Sequence, residues 1–212
     1  FFTKQFLYSL YEEKLIYLSD RRWKWDIDVI RKKGVSDNVV DLMIKKIEKF
    51  SSDSIRAISF AACIGNRFDL KTLSIILKKT EADCLKDLEP VLKMGLLLNL
   101  GDDYKKASTN KNKLNYRFKF LHDRVQQASY ELVPIEKRKI IHFEIGKTIL
   151  QNLKDNSGHE SLFDIVDQLN YGLDLIETEE EKNYISQWFF KAGKHAKLSI
   201  AYNSSLDYLR KA

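Results

Sequence analysis

Gly146-Lys147-Thr148 carries the closing tripeptide of a phosphate-binding loop, and it is the first place in this 212-residue chain to look for catalysis. Such a loop cradles phosphate with backbone amides and needs another glycine five residues ahead of Gly146. Position 141 is Ile. No strand precedes the tripeptide, and it falls inside a helical pattern over about 134–153, so an ordinary helix surface accounts for it. The four histidines are scattered, and none has a second His four residues away with an intervening Glu, so no metal site is expected. Cys63 and Cys84 sit in apolar helical patterns and read as buried thiols in a reducing compartment, neither a disulfide nor a nucleophile. Glu179-Glu180-Glu181 reads as a first-turn acidic run favoured by the helix dipole. With no hydrolase, kinase or oxidoreductase pattern, this stretch of chain is expected not to be an enzyme.

The informative run is Phe120-Leu121-His122-Asp123-Arg124-Val125-Gln126-Gln127-Ala128, where a strand ends and a helix begins. An Asp at a helix start caps it. The exposed amides and dipole of that end suit an anion, and a His beside them reaches a phosphate. Alternatively, His122 and Asp123 merely cap and pack the turn.

The elements that position this run follow from periodicity. Residues 1–18 read as an amphipathic helix with Phe2, Phe6, Leu7, Leu10, Leu15 and Leu18 on one face. Trp23 and Trp25 alternate with charge and suggest a short strand or aromatic turn. Ser36 or Asp37 caps a helix over about 38–50. Ser52 caps the next helix, which Gly65 ends; Asp69 caps a third through about Lys79; Thr80 caps a fourth, Glu81 to Met94, ended by Gly95. Leu96 to Leu100 then reads as a buried strand, residues 101–115 as a polar Lys/Asn loop, and Tyr116 to Phe120 as the returning strand. Three helices followed by a strand, a long loop and a strand is the order of a winged helix. A helix from near His122 to Val133 follows. Pro134 opens another to about Leu153, Ser161 caps 162–176, and Thr178 caps a long helix to about Ile200. Ala192, Ala196, Ala201, Tyr202 and Tyr208 have the small and aromatic spacing of stacked, TPR-like helix pairs. The expected fold is mainly α: a winged helix, with a two-stranded hairpin, followed by the start of a TPR-like helical repeat. The expected core includes Ile58, Ala62, Leu73, Leu88, Leu92, Leu97, Phe118 and Phe120.

Hydrophobic content of 44% with 31% charged residues describes a globular chain, and no apolar run reaches the length of a membrane span. A net charge of +6 permits an acidic partner without demanding one. No signal-peptide pattern opens the chain, although a segment upstream of Phe1 would carry one; the expected compartment, in keeping with two buried free thiols, is the cytoplasm. Phe1-Phe2 and Lys211-Ala212 both lie within apolar-periodic runs, and the chain is expected to be a piece of a longer protein.

Phe118 to Val133 resembles the winged-helix segment of STAND-class signalling ATPases, AAA+-like predicted ATPases found in large hybrid histidine kinases and related Ser/Thr-kinase fusions. Tyr11-Glu12-Glu13, Trp23-Lys24-Trp25-Asp26, Asp37 to Met43, Ala61 to Asn66 and Phe163 to Asn170 extend the likeness over most of the chain. The resemblance implies residues 1–33 as the end of an ATPase lid helix and linker, 34–133 as the winged helix, and 134–212 as a truncated helical-repeat region. It also implies that Leu121-His122-Asp123 matches a Met-His-Asp-type motif whose His approaches the β-phosphate of bound ADP. Leu here replaces Met. His122 is then the nucleotide-sensing residue, and Asp123 orients the turn. No cofactor is expected on this stretch alone; ATP or ADP would be held by an upstream P-loop domain, which is the expected intramolecular partner. Protein partners on the helical repeats and a two-component signalling context follow from the same likeness.

Two other functions are set against this switch. One is a purely structural helical scaffold. The other is DNA binding, with 81–94 as recognition helix. There Glu81, Asp83, Asp87 and Glu89 outnumber Lys86 and Lys93, a balance that repels phosphates, although the 101–115 loop and its flanks are basic. Nucleic acid and membrane are not expected partners.

Overall fold

The computed structural model describes residues 2–32, 39–101, 116–152 and 159–212, and the fold is mainly α with small antiparallel sheets. Residues 102–115, nearly all of the expected polar loop, and the cap candidates Ser36 and Asp37 lie outside the described residues.

The chain opens with α1 (Phe2–Glu12), then β1 (Ile16–Ser19) and β2 (Arg22–Trp25), then α2 (Ile27–Lys32). The single helix expected over 1–18 is thus cut at Glu12. Lys14 takes a left-handed φ of 58°, and the β-branched and aromatic run Ile16-Tyr17 enters a strand instead. The two-residue turn Asp20-Arg21 has φ of 52° and 60°, the twist that suits a tight hairpin, and registers Ser19 against Arg22. Asp26 caps α2, its carboxylate accepting from the Asp28 and Val29 amides at 2.9 and 3.2 Å. Trp23 and Trp25 are more than half exposed. With Leu7, Tyr8, Tyr11 and Ile27 they line a groove of about 1080 Å³.

The central unit is α3 (Val39–Ile47), α4 (Ser52–Ile64), β3 (Arg67–Asp69), α5 (Leu70–Leu77), α6 (Glu81–Lys93), β4 (Leu97–Asn99) and β5 (Arg117–Phe120). The strands pair in the order β3-β5-β4, all antiparallel, with Phe68 opposite Phe118 and Leu97 opposite Phe120. This is winged-helix order with a third strand, β3, that the sequence reading lacked. Ser51, not Ser52, caps α4, accepting from the Ser54 amide at 3.2 Å. Asp69 and Thr80 cap α5 and α6 as expected. Gly65, at φ 151°, ends α4. The core gathers Met43, Ile58, Leu73, Leu88, Phe118 and Phe120, all fully buried. A buried aromatic ring of this kind contributes about 1.5–3 kcal/mol. Leu92 is only half-buried and Val91 takes the core position, because Cys84, Leu88 and Val91 share the inner face of α6. In the strand expected to be buried throughout, Leu96 and Leu97 are buried while Leu98 and Leu100 are exposed.

Then come α7 (Asp123–Glu131) and two helix pairs: α8 (Ile135–Asn152) with α9 (His159–Asn170), and α10 (Glu179–Leu198) with α11 (Tyr202–Lys211). Helix α9 begins ahead of Ser161, so Ser161 lies inside it and is not its cap. It ends at Asn170, short of the expected 176, where Tyr171-Gly172 turns into a single 3-10 turn. Thr178 caps α10 as expected. Close approach of α10 and α11 rests on Gly193: a Cβ there would stand 2.6 Å from Leu209 Cγ. Ser205 Oγ donates to the Gly193 carbonyl at 2.7 Å across the same contact.

Candidate functional site

The His122–Asp123 turn sits where β5 hands over to α7. Backbone bonds fix it from both sides: the Phe120 amide donates to the Asn66 carbonyl at 3.0 Å, and the Leu121 amide to the Leu96 carbonyl at 3.0 Å. His122, half-buried and extended at φ −152°, is the cap residue of α7; its Nδ1 accepts from the Arg124 amide at 3.3 Å. An Nδ1 that accepts here leaves the proton of the neutral ring on Nε2. Asp123 is therefore not the cap that an Asp at a helix start suggests. It is the first residue of α7, and its carboxylate turns sideways to accept from Asn66 Nδ2 at 2.9 Å. Arg124 donates to Gln127 Oε1 at 2.7 Å.

Three stretches distant in sequence meet here, around the C-terminal end of α4: its own last residues, the start of α7, and α9. The last carbonyls of any helix lack partners within it. Here Gln126 Nε2, one turn into α7, donates to the Ala62 carbonyl at 3.1 Å. Gln168 Nε2, from α9, reaches the Cys63 carbonyl at 2.9 Å and that of Ile64 at 3.3 Å. Asn66, next in the chain after Gly65, then holds Asp123.

Behind this end lies a polar chain that sequence reasoning missed. His142, 5% exposed on α8, places Nδ1 2.7 Å from Gln168 Oε1 and Nε2 3.0 Å from the Tyr130 hydroxyl. Its ring stacks on Tyr171 at 4.0 Å and 15°. Burial holds the His142 imidazole below its ordinary value; the Gln168 bond opposes this and the Arg138 charge adds to it. Arg138 donates to the Val133 carbonyl at 3.0 Å and lies over the Tyr130 ring at 4.4 Å. The sequence signal for this network is that Gln126 lies in the run Phe120 to Ala128 and Gln168 in the run Phe163 to Asn170.

The Gly146-Lys147-Thr148 tripeptide lies in the middle of α8, as its periodicity required, but not on an open surface. Gly146 and Thr148 are buried. A Cβ at Gly146 would meet Leu169 Cγ at 2.8 Å, so the glycine serves the approach of α9. Lys147 pairs with Glu144 at 3.1 Å. Both cysteines are buried and free, and burial pushes the Cys63 thiol up to about 12. Among the described residues no group of three or more His, Cys, Asp or Glu gathers to hold a metal ion. Also among the described residues, no helix is long and apolar enough to cross a membrane.

The chain is similar to hybrid signal transduction histidine kinase G of Dictyostelium discoideum, with 29% identity in an alignment that covers 99% of this chain. It spans 7% of that protein's length, so the likeness is to one short segment of a much larger polypeptide. No family model matches the chain. No solved structure matches it either.

Proposed function

We propose that this chain is a non-catalytic regulatory segment of a signal-transduction protein, whose His122–Asp123 turn reads the nucleotide held by a P-loop ATPase domain of the same polypeptide. The likeness along nearly the whole chain to a hybrid signal transduction histidine kinase supports the signalling context. The observation that carries the site is the cap geometry of His122: with Nδ1 turned to the Arg124 amide, Nε2 is the nitrogen that donates to a phosphate oxygen. Asp123, held by Asn66, orients the turn. In this reading residues 1–33 continue an ATPase lid, 34–133 form the winged helix, and 134–212 begin a helical repeat whose pairs take protein partners. ATP or ADP belongs to the ATPase domain, in the cytoplasm. The switch requires that ADP and ATP make different contacts with the turn.

A second reading has one observation of its own. The same Arg124 amide bond suffices to make His122 a structural cap on a helical scaffold. The two readings separate in a longer polypeptide that includes the ATPase domain. His122→Ala removes both the cap and the imidazole; His122→Asn keeps a capping side chain and removes the imidazole. Retained ADP and its release rate are measured for each. The switch reading expects fast release from both variants. If His122→Asn holds ADP as the unmodified protein does, the imidazole does not touch nucleotide, and the scaffold reading stands.

A further inference from the structure

The Tyr130–His142–Gln168 chain has only one consistent assignment of protons while the ring is neutral. Gln168 spends its amide hydrogens on the carbonyls of Cys63 and Ile64, so the Oε1 facing His142 is an acceptor. His142 Nδ1 must therefore carry the ring proton, and Nε2 offers its lone pair to the Tyr130 hydroxyl. Every polar atom of the ring is used, in a place that is 5% exposed.

Two routes lead from this ring to the His122–Asp123 turn. One runs through Gln168 to the end of α4, then across Gly65 to Asn66 and the Asp123 carboxylate. The other runs through Tyr130, near the C-terminal end of α7, whose opposite end carries His122. Gln126 ties the middle of the same helix to the Ala62 carbonyl. The ring, α4 and both ends of α7 thus form a circuit of hydrogen bonds joined by the backbone of Cys63 to Asn66 and of α7.

We propose that this circuit is a proton-sensitive relay: it is closed while His142 is neutral, opens when Nε2 gains a proton, and passes the change to the His122–Asp123 turn. The added proton arrives from solvent at Nε2 and converts that atom from acceptor to donor. The Tyr130 hydroxyl then meets a donor and must give up its own donation to the ring. The groups that face the ring are Tyr130 from α7, Arg138 from α8, Gln168 and Tyr171 from α9 and its following turn, and Cys63 through its carbonyl partner Gln168. Arg138 is a like charge to the protonated ring. The stack on Tyr171 accommodates either protonation state, so the change falls on the hydrogen bonds. As regulation of the turn this rests on the nucleotide-sensing reading, but the coupling itself is measurable without nucleotide.

The experiment is a pH titration of the 212-residue chain by two-dimensional NMR, following the ring resonances of His142 and His122 and the amides of Gly65 and Asn66. The expected result is that Gly65 and Asn66 shift with the midpoint of the His142 ring, separately from any step that follows His122. In His142→Phe that step disappears. In Gln168→Met the His142 ring still titrates, but the step is lost at Gly65, whose amide shares a peptide group with the Ile64 carbonyl that Gln168 holds; any step left at Asn66 arrives through Tyr130 and α7. Amides that follow only His122 in the unmodified chain overturn the relay, as does a Gln168→Met chain in which the Gly65 step survives. Should His142→Phe fail to fold, the Gln168→Met comparison decides alone. A relay that passes this test in a protein whose ADP release ignores His122 would leave the coupling standing and remove its nucleotide reading.

Discussion

Asn66 and Asp123 are 57 residues apart in the chain, and the side-chain amide of one donates to the carboxylate of the other at 2.9 Å. The bond ties the loop after α4 to the first residue of α7, and so fixes the angle at which the His122 turn leaves the sheet. It is exposed to solvent, which limits its worth to about 0.5–1 kcal/mol in a double-mutant cycle of Asn66→Ala and Asp123→Ala. Urea melts of the single and double variants measure it. Additive effects would mean that the turn is held by its backbone bonds alone.

His122→Ala should lower stability by about 0.5–1 kcal/mol through loss of the cap, and His122→Asn should recover most of that. The readout is the urea midpoint of the 212-residue chain without nucleotide. Equal losses in both variants would show that packing of the ring, not its Nδ1, holds the turn.

Leu97 is 2% exposed and stands opposite Phe120 in the sheet. Leu97→Asp buries an unpaired carboxylate there, at a cost of more than about 4 kcal/mol, and should unfold the central unit. Thermal melting followed by circular dichroism checks it. An unchanged melt would remove Leu97 from the core.

Gly193→Ala should destabilise the α10–α11 pair by about 1–3 kcal/mol, since the new methyl lands on Leu209 and approaches the Ser205 carbonyl at 3.3 Å. Gly146→Ala should act likewise against Leu169, with no effect on any phosphate ligand. Denaturant melts decide both, and a neutral result at Gly193 would mean that the two helices separate at little cost.

Cys63 and Cys84 should resist a thiol reagent at pH 8 in the folded chain and react fully in denaturant. Both lie in the core, and burial raises both thiols, so the folded chain holds them protonated. Rapid native labelling of Cys63 would show that α4 and α8 part readily.

His142 also makes stability depend on pH. Its folded value lies below the unfolded one, near 6.5, so the unfolded chain binds the proton first. Its contribution is complete above about pH 6.5 and falls as the pH drops toward the folded value. Urea midpoints between pH 7 and pH 5 should fall less steeply in His142→Phe than in the unmodified chain.

The helical order from α4 to α7, the returning strand and the capping roles of Asp69, Thr80 and Thr178 were legible because each depends on a local pattern. Strand β3 was not, because Arg67-Phe68-Asp69 is too short to alternate and becomes a strand only by pairing with β5. The N-terminal hairpin was hidden for another reason. Its turn is Asp20-Arg21, without the Asn or Gly that usually betrays positive φ, and its apolar residues also fit a helical face. At the site, the turn itself could be found from Phe120 to Ala128. The side-chain amides of Gln126 and Gln168 could not be given a role from spacing, since the carbonyls they hold belong to a helix over a hundred residues from Gln168. The P-loop-like tripeptide shows the converse: a pattern with chemical overtones that packing explains.

The aromatic groove between α1, the hairpin and α2 has a practical consequence at the bench. Trp23, Trp25, Tyr8 and Tyr11 stand exposed around an apolar hollow in the folded chain. An environment-sensitive hydrophobic dye should therefore fluoresce with this protein at neutral pH, before any denaturant is added. Dye-based melting curves would start from a bright baseline and understate the transition. The intrinsic emission of Trp23 and Trp25 would report the groove, leaving Trp188 as the indole reporter of the helical pairs.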